Sequence, residues 1–326
     1  MILVVLQHVA TFGWGITEEV SSIHPFLQQI RMPMFFFISG FVLYKAGVTW
    51  NVSHVWQFLR KKFLVQIIPT VFFLLLFCEF WGVSFVESLF DPAKSGYWFT
   101  YTLFVYFVIY SLLRLSFRSR LEDIVIVVAA LLFYVITWTP IYSNIPLSDA
   151  YKGLLGIQQW IYLCFFLTGT LVRKHFSLVQ QWLDGKWLLT FSILLYFLFN
   201  IYGRFIPDAG PVKVLAGLLR TLAGISIMFA FFRANQRFFT KDRALGRVLQ
   251  FVGRRTLDIY LLHYFLLPRG IGDAFPVFTD CPMPVVEAVC SFGVAVAVVA
   301  LTLLVSSIVR LSPFLAHWLF GVKNQA

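Results

Sequence analysis

Apolar residues fall in long, nearly uninterrupted runs along this chain, separated by short and mostly basic polar stretches. The runs lie near 1–12, 30–47, 63–82, 97–113, 122–140, 158–172, 187–202, 212–232, 256–270 and 284–309. Most approach the roughly 20 residues that a helix needs to cross a bilayer. They lack the period-2 alternation of membrane strands and are too long for them. The pattern predicts an all-α, polytopic integral membrane bundle of about ten transmembrane helices. No polar stretch is long enough for a separate soluble domain, so residues 1–326 are expected to form one membrane domain. The run 1–12 is short for a span, which predicts a truncated first helix or a true start upstream of Met1. It has no basic n-region and no small-residue cleavage site, so it does not read as a signal peptide.

The polar stretches orient the bundle. With Met1 on the cytoplasmic side, 19 Lys and Arg fall in cytoplasmic loops and the tail, and 6 fall outside. The cytoplasmic set runs from Lys45 and Arg60 through Arg114, Arg118, Arg173 and the Arg233–Arg255 loop to Lys323. The outer set is Arg31, Lys94, Lys152, Arg204, Lys213 and Arg269. This asymmetry predicts ten spans with both termini cytoplasmic. Only 13% of residues are charged, against about 25% in soluble domains. The net charge of +11 therefore sits where it meets lipid headgroups or an anionic ligand, and nucleic acid is not an expected partner.

Few residues are placed for chemistry. His8 sits near the outer end of the first run; it is either a proton-transfer group or an interfacial histidine bonded to a neighbouring helix. The stretch Arg31-Met-Pro-Met-Phe-Phe-Phe-Ile-Ser-Gly-Phe41 puts a proline and a Ser-Gly pair inside an apolar run, where small residues let helices approach closely. Arg220 falls within a span and needs an anionic partner, water or an escape to the outer face. Arg60, Lys61 and Lys62 open the third run and serve either as a cytoplasmic anchor or as a phosphate site. The Arg233–Arg255 loop allows the same two readings, and its Phe238-Phe239 pair suits an amphipathic piece on the membrane surface. Asp258 and His263 share the ninth run, but five positions separate them and they do not stack well on one helix face. Trp98 opens the fourth run, where an aromatic belt explains it equally well. His24, His54, His175 and His317 read as solvated. Cys78, Cys164, Cys281 and Cys290 have no metal-ligand spacing, so no metal site is expected.

Taken in order, several of these pieces resemble the membrane acyltransferase-3 family, which includes fucose and other sugar O-acetylases of bacteria. The matching segments are Val4-Val-Leu-Gln-His8, Met32-Pro-Met-Phe-Phe-Phe-Ile-Ser-Gly40, Lys61-Lys62 leading to Ile68-Pro69, Tyr97-Trp-Phe, Phe165-Phe-Leu-Thr-Gly169 and Gly253-Arg-Arg-Thr-Leu-Asp-Ile-Tyr-Leu-Leu-His263. The resemblance implies an O-acyltransferase of the bacterial inner membrane that takes its acyl group from acetyl-CoA and needs no metal. The implied acceptor is a hydroxyl of a cell-envelope carbohydrate or glycolipid. It further implies that His8 is the catalytic base. Basic residues at Arg60, Lys61 and Lys62 are then expected to hold the donor phosphates, with Arg220 and His263 contributing to substrate binding. The sequence departs from the family in two places. The basic residue common eleven positions before the histidine would precede Met1, and Val65 and Gln66 fill the region of the second of two arginines in the third span. A transporter or flippase for a lipid-linked sugar fits the same spans and charges without any chemistry, and so does a non-catalytic membrane scaffold.

Overall fold

A computed structural model of the chain describes residues 1–17, 20–117, 120–138, 146–202, 210–275 and 283–322. Arg118, Arg204, Cys281 and Lys323 lie outside the described residues. The helices named below are α1 (Ile2–Gly13), α2 (His24–Leu43), α3 (Val52–Trp81), α4 (Trp98–Ser116), α5 (Arg120–Trp138), α6 (Leu163–Lys174), α7 (Phe176–Asp184), α8 (Lys186–Tyr202), α9 (Pro211–Ala234), α10 (Ala244–Arg254), α11 (Thr256–Leu266), α12 (Pro284–Val309) and α13 (Pro313–Phe320). No strand occurs among the described residues.

Every predicted apolar run is largely helical, but fewer than ten helices meet the demands of a bilayer. Among the described residues, α2, α3, α4, α9 and α12 are long and apolar enough to cross. The total rises to 7 if the bent pairs Asp149–Leu155 with Ile157–Lys174 and Phe176–Asp184 with Trp187–Ile201 each count once. The first apolar helix, Ile2–Gly13, is shorter, and α11 has only 11 residues.

The chain forms two compact units. The first contains residues 1–31, 68–83 and 237–326. In it α1 and α11 both pack on α12, and the second half of α3 packs on α11 and α13. The inward face of α12 is small and polar: Glu287, Ser291, Ala295, Val298, Val299, Thr302 and Ser306 are buried. Its large apolar residues, among them Val289, Phe292, Leu301 and Leu304, point outward. This is the reverse of a soluble helix, and it suits close packing inside with lipid outside. The buried polar residues are held in place. Glu287 accepts hydrogen bonds from the Ser21 hydroxyl and from the Ser22 backbone N–H at 2.8 Å. Arg310 grips Asp258 with two bonds of 2.8 and 2.9 Å, and Ser306 donates to the same carboxylate.

The second unit contains residues 32–67 and 84–236. Here α8 packs along α9, α5 along α6, and α4 against the first half of α3. Aromatic rings fill its core: Phe36 lies 5.0 Å from Tyr106 and 5.3 Å from Tyr162 by ring centroids. The Ser39-Gly40 pair has the role expected of small residues. A Cβ placed on Gly40 would lie 1.9 Å from the Phe166 carbonyl oxygen, and one on Gly169 would lie 2.1 Å from that of Phe37. The backbones of α2 and α6 thus touch at two reciprocal glycines. Polar side chains pair at the helix ends, with Arg114 on Glu122, Lys174 on Asp123 and Arg233 on Asp184.

The histidines expected to be solvated divide. His54 stands on the first turn of α3, where its backbone N–H is capped by Asn51. His24 is buried, with its backbone N–H bonded to the Ser21 hydroxyl. His175 lies 2.9 Å from Asp123, and His317 lies 2.8 Å from the Val322 carbonyl. Chain-terminal and loop positions suggested water, but the turns fold back and supply partners.

Candidate active site

His8 closes the regular part of α1. The next five residues, Val9–Gly13, form a π-turn. Such turns are rare and often occur at functional positions. His8 Nδ1 lies 2.9 Å from His263 Nε2 on α11, 255 positions away in sequence. The two rings meet edge to edge in nearly one plane, with centroids 5.1 Å apart and 16° between their planes. His263 is fully buried, whereas His8 is partly exposed. Tyr264, the next residue on α11, tilts over both rings at 4.9 and 4.1 Å, and its hydroxyl stands 3.5 Å from His8 Nε2. Phe12, one turn further along α1, meets the His8 ring edge-on at 5.7 Å.

The hydrogen bonds fix the tautomers. His263 Nδ1 lies 2.8 Å from the Ile259 carbonyl oxygen. A carbonyl oxygen can only accept, so this nitrogen carries a proton. With both rings neutral, His263 Nε2 is then an acceptor, and His8 Nδ1 must donate to it. The remaining lone pair of the pair is on His8 Nε2. The outcome is an oriented imidazole whose remaining lone pair, on Nε2, faces the Tyr264 hydroxyl, backed by a second imidazole that accepts from its other side. A base positioned by a third group is the arrangement that general-base catalysis uses.

Asp258 takes no part in this pair. It is buried against Arg310, Ser306 and Arg255, the last at 3.5 Å. Its neighbour in the sequence argument, His263, instead finds its partner on another helix. Arg31 also acts electrostatically on His8. Its outer-loop assignment hid this, and Tyr264 was hidden among apolar aromatics.

The other candidate residues belong to the second unit. Arg60, Lys61 and Lys62 lie in the middle of α3 rather than at its start, because Asn51 caps that helix three turns earlier. Arg60 and Lys61 are exposed. Lys62 turns inward, with its ammonium 4.6 Å from the Phe107 ring centre and 5.8 Å from that of Phe58. Lys61 and Lys45 share its electrostatic field. A second π-turn, Phe63–Ile67, follows Lys62 directly. Arg220 lies on α9, half-buried near Tyr196 and Tyr134, and its Nε is buried without a hydrogen-bond partner among the described residues. The structure thus joins His8 to His263 in the first unit, and it holds Arg60–Lys62 and Arg220 in the second.

A family model described as an acyltransferase domain, of the acyltransferase-3 type, matches residues 1–305. The chain belongs to the acyltransferase-3 family. No curated protein and no solved structure matches it. Family membership and several bilayer-length apolar helices make this protein a membrane acyltransferase.

Proposed function

We propose that this acyltransferase is an O-acetyltransferase that moves an acetyl group from acetyl-CoA to a hydroxyl of a cell-envelope carbohydrate or glycolipid. The observation that carries the reading is the His263–His8 hydrogen bond, which leaves the basic lone pair of the pair on His8 Nε2. In the reaction, Nε2 takes the proton of the acceptor hydroxyl as its oxygen attacks the thioester carbonyl carbon. The C–S bond then breaks, the acetyl group stays on the acceptor oxygen, and the coenzyme A thiolate leaves with the proton from His8. While His8 is protonated, its Nδ1–H donates to His263 Nε2, so the pair spreads the charge without any further proton movement. The Tyr264 hydroxyl, 3.5 Å from Nε2, marks the place of an approaching hydroxyl. Lys61 and Lys62, with Arg60, would hold the donor phosphates as point charges and a fork. Arg220, with its unsatisfied Nε, is suited to an anionic part of a substrate.

The same reading takes the ten apolar runs of the sequence as ten spans of a bacterial inner membrane, with both termini cytoplasmic and the donor entering from that side. A flippase would have no use for an oriented base. The test is transfer from labelled acetyl-CoA in membranes by wild type and His8→Ala at matched expression. Loss of transfer by about 10²–10⁴-fold is expected for removal of a general base. Near-normal turnover by His8→Ala would overturn the assignment, and transport of the acceptor without coenzyme A dependence would favour the flippase.

A further inference from the structure

The segment between α9 and α11 is not used by the proposed chemistry, yet it has a marked two-faced character. On α10, Leu245, Val248 and Phe251 are 54%, 59% and 38% exposed. At 100° per residue these three fall within an arc of ~120°. The opposite face is the docked one. Gly246 is buried so tightly that a Cβ there would lie 2.0 Å from the Thr240 carbonyl oxygen, and the Gln250 side chain donates to the Phe239 carbonyl at 2.8 Å. The apolar stripe therefore faces away from the chain that supports it.

Charge surrounds the stripe. Residues 237–255 contain Arg237, Lys241, Arg243, Arg247, Arg254 and Arg255 against the single acid Asp242. Among the described residues, only Arg255 of these makes an ion pair, with Asp258 at 3.5 Å. Arg255 also donates to Ser306 on α12 at 2.9 Å. No linker follows, because α11 starts at Thr256. The helix is thus fixed, by the residue that directly follows it, to the end of an apolar bundle.

We propose that α10 lies in the plane of the membrane surface, with Leu245, Val248 and Phe251 among the acyl chains and its arginines bound to anionic phospholipid headgroups. An anionic leaflet satisfies both halves of the observation, whereas a small soluble polyanion would leave the apolar stripe in water. The position of the helix at the end of a bundle that itself crosses the bilayer supplies the proximity.

The full chain, with its native cysteines replaced, is labelled with a polarity-sensitive fluorophore at Val248→Cys or at Arg247→Cys. It is reconstituted in nanodiscs of phosphatidylcholine with or without phosphatidylglycerol. Quenching of the Val248 label by brominated acyl chains, and of the Arg247 label by aqueous iodide, is the expected pattern. Equal iodide quenching at both positions overturns the proposal, as does shielding of Val248 only when a soluble protein is added. In lipid competition, R243Q/R247Q/R254Q should lower the preference for phosphatidylglycerol at least about tenfold. Unchanged preference removes the headgroup half of the proposal.

Discussion

Gly40→Ala should destabilise this protein through a single added carbon. The new Cβ would meet the Phe166 carbonyl oxygen at 1.9 Å, where ordinary contact starts at 3.4 Å. Both groups belong to helix backbone, so no rotamer can absorb the clash, and α2 and α6 must part by about 1.5 Å along that line. Overpacking of this kind costs about 1–3 kcal/mol, and the upper half of that range applies because rigid backbones meet. The widened gap also loses dispersion contacts along the rest of the interface. At about 1.5 °C per kcal/mol for a chain of 326 residues, Tm falls by about 3–4 °C. Gly293→Ala is the matched control, because a Cβ there meets nothing within 4 Å. Its effect should be nil or slightly stabilising through helix propensity. The double variant Gly40→Ala/Gly169→Ala should cost less than the two singles together, since either one already separates the helices. The assay is thermal unfolding of purified protein in one detergent. A Gly40→Ala melting point equal to that of Gly293→Ala would refute the close-approach argument.

Replacing Lys61 and Lys62 together by Ala should raise KM for acetyl-CoA by about 5–10-fold with kcat nearly unchanged, and rising salt should raise the wild-type KM as exposed charges are screened. An unchanged KM would move the donor site, with the Arg233–Arg255 loop next in line. His263→Ala should lower kcat by about 10-fold or more with little effect on KM, and His263→Gln should recover part of the loss because its carbonyl can accept from His8 Nδ1. Equal kcat in all three proteins would remove His263 from the positioning role. Burial pushes the Lys94 ammonium down to about 8 from 10.5, although its Nζ donates to the Leu89 carbonyl at 2.7 Å. Between those two values the unfolded chain binds more protons than the folded one, so Lys94 makes stability rise with pH across that window and is silent on pH below it. Lys94→Met should flatten that part of the stability–pH curve, and a curve that keeps its slope would show that Lys94 titrates normally.

How far the sequence could be read depended on how local the signal was. Helices declare themselves over a few turns, so the apolar runs and the helical ends near Trp98 and Pro284 were visible. The Ser39-Gly40 pair was visible too, because small residues in an apolar run have few other uses. The histidine pair was not. His8 and His263 are 255 positions apart, and local spacing rules offered His263 only Asp258, which is bound to Arg310. Arg31 was counted as a loop charge by the same logic that correctly treats most basic residues in a membrane protein. Lys62 looked equivalent to its two neighbours, and only the position of Phe107 on α4 separates it from them.

The two π-turns connect the candidate residues in a way that neither composition nor spacing reveals. His8 and Lys62 are each the last residue before one, in helices of different units. A π-turn inserts one residue into the helical ladder and weakens its hydrogen bonding, so it lowers helix stability unless something else compensates. In return, the downstream helix is rotated by about one residue, roughly 100°, relative to a regular continuation. On α1 the turns before the π-turn keep Val4, Val5 and Leu6 buried, and Phe12 within it meets the His8 ring. On α3 Lys62, just before the turn, points inward at Phe107, and Ile67 at the end of the turn and Pro69 beyond it are buried. That both π-turns directly follow a polar candidate residue fits the frequent use of such turns at functional positions.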